Sequence, residues 1–91
     1  MRKKKVTSEG RFSELMEEAQ FYFLNQNYDE AQRLLEEALK IKPDARALYT
    51  LGLIFEIKNE KEKAQEMYRS ALELEPNLKE AEEHLAKILK G

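Results

Sequence analysis

From residue 12 onward, apolar residues return every three or four positions with polar residues between them, the rhythm of amphipathic helices. Breakers divide that rhythm into five segments. The spacing predicts a first helix over 12–24, burying Leu15, Ala19, Phe21 and Tyr22, and a second over 28–41, burying Ala31, Leu34, Leu35, Ala38 and Leu39. A third is expected over 45–58, a fourth over 60–74 and a fifth over 78–89, the last turning Leu78, Ala81, Leu85, Ile88 and Leu89 inward. Pro43 and Pro76 close the second and fourth, because the residue before a proline is pushed out of the helical region. Links this short force successive helices to pack antiparallel. No stretch alternates with the period of a strand.

Asparagines stand where helices are expected to begin. Asn27 with Glu30, Asn59 with Glu62 and Asn77 with Glu80 each set a capping residue three before a glutamate, the spacing of a capping box. Asp44 is placed to cap the third helix.

The segments also repeat. Ala31, Ala38 and Pro43 return 33 positions later as Ala64, Ala71 and Pro76, and Leu51-Gly52 returns after 34 as Leu85-Ala86. A period of this length marks a supersecondary unit that buries its apolar face only by stacking on a copy of itself. Gly52 falls in mid-helix, where glycine costs about 1 kcal/mol relative to alanine. The expected compensation is a second backbone crossing too closely for a side chain, with Ala19 and Ala86 at equivalent places.

Composition sharpens the picture. The chain has 91 residues, 37% charged and 42% hydrophobic, which suits one small domain with a heavily solvated surface. It has no cysteine, which rules out disulfides and thiolate metal sites and fits a reducing, cytoplasmic setting. No apolar run approaches the ~20 residues of a membrane span. Residues 1–11 carry a net charge of +4 and read as a disordered basic tail, whereas residues 12–91 carry −6. An acidic body argues against nucleic acid as a partner. His84 is the only histidine, and there is no phosphate loop or metal motif, so neither a cofactor nor enzymatic activity is expected.

These residues resemble the tetratricopeptide repeat, marked by a bulky residue, Leu-Gly, an aromatic, Ala, an aromatic, Ala and a terminal Pro over 34 residues. Leu48, Leu51, Gly52, Phe55, Ala64, Tyr68, Ala71 and Pro76 fall on those places in one repeat. In the preceding one Leu15, Glu18, Ala19, Tyr22, Ala31, Leu35, Ala38 and Pro43 do so, with Glu18 and Ala19 departing from Leu-Gly. Ala81, Leu85, Ala86 and Leu89 open a third.

The resemblance implies an all-α fold whose antiparallel helix pairs stack as a short right-handed superhelix of five helices. A repeat over 12–44, a repeat over 45–78 and a capping helix over 79–91 would form one domain behind the 1–11 tail. On that geometry the concave face takes Ser13, Met16, Glu17, Gln20 and Phe23 from the first helix. Arg46, Tyr49, Thr50, Leu53 and Glu56 would come from the third, and Glu80, Glu83, His84 and Lys87 from the fifth. The implied role is an adaptor or scaffold that holds a peptide or protein segment there, as a monomer or weak homo-oligomer. Members that grip acidic C-terminal carboxylates use basic and amide side chains where this chain has Met16, Gln20, Thr50, Glu80 and His84, which argues against that ligand. The alternative is a self-associating unit whose apolar groove and basic tail are satisfied by another copy.

Overall fold

The computed structural model describes residues 7–91. They form α1 (Ser8–Leu24), α2 (Tyr28–Ile41), α3 (Ala45–Ile57), α4 (Lys61–Leu74) and α5 (Lys79–Lys90), with no strand among the described residues. Two compact units divide between Lys42 and Pro43. The first holds α1 packed on α2, and the second holds α3 and α5 each packed on α4. Among the described residues no helix is long and apolar enough to cross a membrane.

In the first unit, α1 starts before the apolar rhythm does. The Thr7 hydroxyl accepts the Gly10 N–H at 3.0 Å and caps the helix, so Ser8–Arg11 are helical rather than part of a tail. Ion pairs continue along this turn, Arg11 with Glu37 at 3.1 Å and Glu9 with Lys42 at 3.5 Å. The rest of the predicted basic tail, residues 1–6, lies outside the described residues. Phe12, Leu15 and Ala19 bury one stripe of α1 against Ala31, Leu34, Leu35 and Ala38 of α2. Tyr22 continues that stripe and is half-buried, but Phe21 is 60% exposed, contrary to the expectation that it faces inward. It sits one residue out of phase, about 100° around the helix from its neighbour. Leu39 is half-buried on α2.

Asn59 acts at a helix end rather than a start, and Gln26 does the same after α1. Gln26 (φ 64°) and Asn59 (φ 63°) are left-handed, and each closes the helix before it. After α1, Gln26 N–H donates to Phe23 O and Asn27 N–H to Tyr22 O; after α3, Asn59 N–H donates to Glu56 O and Glu60 N–H to Phe55 O. Both are Schellman closures. The three predicted capping boxes are therefore absent. Asn27 precedes α2 without a side-chain capping bond, and the positions before α4 and α5 belong to Glu60 and Leu78. Glu30 turns instead to Arg33, whose hydrogen bond holds the Glu30 carboxyl below its ordinary range. Only Asp44 caps as predicted, accepting the Ala47 N–H at 2.9 Å.

In the second unit, Ala47, Leu51, Ile54 and Phe55 of α3 meet Ala64, Tyr68 and Ala71 of α4, and Leu78 and Ala81 extend the buried set to α5. The close approach predicted at Gly52 is present, but its partner is a side chain. A Cβ at Gly52 would lie 2.7 Å from Cδ1 and 2.8 Å from Cζ of the fully buried Tyr68 ring. Ala86 does not repeat this crossing. It is exposed, as is Leu89 at 57%, because α5 packs on α4 along one side only; Leu85 and Ile88 are half-buried.

Two substitutions test these backbone and packing claims in opposite directions. Gly52→Ala should lower unfolding free energy by about 1–3 kcal/mol through overpacking on Tyr68. Gln26→Gly should raise it by about 0.5–1 kcal/mol, the left-handed penalty relieved less the added freedom of the unfolded chain. Urea titrations measure both, and an unchanged Gly52→Ala midpoint would remove the close-packing claim.

Candidate functional site

The phase of α3 decides which of its residues remain available. Its core contacts use Ala47, Leu51, Ile54 and Phe55, which leaves Arg46, Tyr49, Leu53 and Glu56 along another face at helical spacing. Tyr49, Leu53 and Glu56 are half-buried, and Arg46 is exposed with its guanidinium carbon 5.7 Å from the Tyr49 ring centroid. Thr50 does not join this face. It is 9% exposed, and its hydroxyl donates to the Arg46 carbonyl at 2.9 Å.

The α5 helix brings His84 to the same place. Its ring centroid lies 5.9 Å from that of Tyr49 and 5.6 Å from that of Tyr68, and the Tyr49 and Tyr68 rings are 5.9 Å apart. Beneath the rings one carboxylate oxygen joins three helices. Glu56 Oε1, on α3, accepts the Tyr68 hydroxyl of α4 at 2.6 Å and lies 2.9 Å from His84 Nδ1 of α5. Burial, followed by the Glu56 hydrogen bond, pushes the Tyr68 phenol far above its ordinary value of 10.0. Tyr49 is raised as well, by burial first and then by Glu80.

Predicted site residues on α1 belong to the first unit. Met16 and Phe23 are half-buried and Gln20 is exposed, and the Phe23 ring meets Tyr28 edge-on at 5.6 Å. The part of the site that sequence reasoning missed is Tyr68, which the sequence places only on the repeat pattern. A buried tyrosine in place of phenylalanine was the available signal, since its hydroxyl requires a partner. Among the described residues no group of three or more His, Cys, Asp or Glu side chains is arranged to hold a metal ion.

Residues 13–75, more than half of the chain, match the model of the family described as Tetratricopeptide repeat. The chain belongs to the tetratricopeptide repeat family. Tetratricopeptide repeats mediate interactions between proteins. Three relatives carry similar segments. One is the Pseudomonas aeruginosa protein named "Probable biofilm formation methyltransferase WspC", 41% identical over 61 residues, which are 66% of this chain and 14% of that protein. The others are the human RANBP2-like and GRIP domain-containing proteins 1 and 2, each 36% identical over 72 residues, 78% of this chain and 4% of theirs. The chain thus spans a small part of each relative, and their names describe those longer proteins. The tetratricopeptide pattern places Gly52 and Tyr68 a fixed distance apart, and here they meet.

The Tyr68 environment has a consequence at alkaline pH. With its native pKa raised, folded protein keeps the phenolic proton where the unfolded chain loses it. Stability should therefore fall as pH climbs above about 10. Tyr68→Phe removes this contribution and should flatten the decline, measured by urea unfolding across the alkaline range. Equal slopes in the two proteins would contradict the assignment.

Proposed function

We propose that this chain is a non-catalytic adaptor module and that it holds an extended segment of another protein on the α3–α5 face of its second unit. Arg46, Tyr49, Leu53 and His84 are the contacts in this reading, with Glu56 holding His84 in place. Met16, Gln20 and Phe23 offer contacts on the first unit. The observation that carries the reading is that Tyr49 and Leu53 stay half-exposed beside a core that Leu51, Ile54 and Phe55 already fill. Completing the burial of two such side chains supplies a few kcal/mol at about 1.5–3 per full side chain. Polar contacts add to this, association entropy subtracts, and micromolar affinity is the expected scale.

Self-association is the second reading, favoured by Phe21 and Leu24 on α1, 60% and 68% exposed. Light scattering separates the two: a monomer at high micromolar concentration counts against it.

Selection from a random-peptide display library tests the adaptor reading. Enriched peptides should bind the wild-type chain with micromolar Kd, and Tyr49→Ser/Leu53→Ser should weaken them by at least about tenfold, or 1.4 kcal/mol, while retaining its helical circular dichroism. Undiminished binding to a folded double variant, or the recovery of no peptide, would overturn it.

A further inference from the structure

The α3–α5 face has acceptors that its own residues leave unanswered. Glu56 directs both its hydrogen bonds to Oε1. Its Oε2 has no hydrogen-bond partner among the described residues, and it reaches solvent, since no buried side-chain polar atom there lacks a partner. On α5, Glu80 and Glu83 are exposed, three residues apart and so on one side of the helix. Among the described residues neither has an ion-pair partner. Glu80 stands one turn before His84, whose ring lies 5.9 Å from that of Tyr49, and Glu80, Glu56 and Glu83 all act to raise the Tyr49 hydroxyl pKa. Of the cations on this face, Arg46 already lies over Tyr49, and Lys87 stands a turn of α5 beyond Glu83.

Resting on the adaptor reading above, we propose that the partner segment docked on this face carries an arginine or lysine that pairs with Glu80 and Glu83 beside the Tyr49 ring. The half-buried rings of Tyr49 and His84 wall off one side of the place this cation takes, and screening by water is weaker there than on an open surface. Glu56 Oε2 adds a further acceptor for a guanidinium or ammonium donor. Arg46 already lies over the Tyr49 ring. A second cation over the Tyr49 face would meet it at close range, so the partner's charge sits towards α5. An acidic segment meets three carboxylates and is rejected.

The chain's own Arg2-Lys3-Lys4-Lys5 from a second copy is the competing occupant, and the experiment separates it. Fluorescein-labelled peptides from the library are titrated against wild type, Glu80→Gln/Glu83→Gln and Tyr49→Ser/Leu53→Ser. The expected peptides share an arginine or lysine. They should lose about tenfold in affinity for the folded glutamine variant, with a shallower salt dependence. Replacing the peptide arginine by citrulline should cost wild type the same factor and the glutamine variant little. Cation-free peptides, or unchanged affinity for the glutamine variant while the serine variant still loses binding, would overturn this inference and leave the adaptor reading standing. Binding indifferent to both variants would overturn both. A dimer by light scattering that dissociates on removing residues 1–6 and is displaced by the same peptides would make a second copy the occupant, against the proposal.

Discussion

The second unit depends on where one phenol ring can go. Tyr68 is fully buried, and its ring occupies the space that Gly52 leaves open on α3. Burying an aromatic side chain is strongly favourable, but burying its hydroxyl is not unless the hydroxyl finds a partner. Glu56, four residues beyond Gly52 on the same helix, supplies the acceptor. Glycine and glutamate on α3 thus accept the two halves of one side chain from α4. The same Glu56 oxygen then meets His84, so the joint extends to α5. A helix with a single fully buried residue of its own, Ala81, gains a polar tie to the hairpin it caps.

That joint also forms the floor of the proposed binding face. Fixing His84 against Glu56 places an imidazole beside Tyr49 and leaves the outer edge of α3 half-covered. Core demand and surface availability are linked through helical phase. Each residue given to the core at 47, 51, 54 or 55 determines that 46, 49, 53 and 56 point elsewhere. Packing and the proposed recognition therefore use different sides of the same thirteen-residue helix.

Much of this was legible in the chain because the signals were redundant. Pro43, Pro76 and the three-to-four spacing of apolar residues place α2 at its observed bounds and the other helix ends within a residue or two, except the start of α1. That start was illegible because Ser8–Arg11 hold no apolar residue, and the Thr7 cap preceded the rhythm. Asn59 misled for a physical reason: the residue type that caps a helix start also tolerates the left-handed conformation that closes one. Hydrophobicity points Phe21 and Leu89 inward, but burial follows angular position and the presence of a neighbour. Gly52 announced a close approach without naming its partner, since the Tyr68 ring arrives from another helix. Among the predicted site residues, Tyr49 and His84 are brought together, whereas the Thr50 hydroxyl is committed to the Arg46 carbonyl one turn back.

A double-mutant cycle on Tyr68→Phe and Glu56→Ala tests the joint most directly, because it isolates the hydroxyl–carboxylate interaction from the packing of the ring. Urea unfolding of the four proteins should give a coupling of about 1.5–3 kcal/mol, the range for a hydrogen bond to a charged group. A coupling within about 0.5 kcal/mol of zero would mean that the two residues act independently, and the joint would not exist.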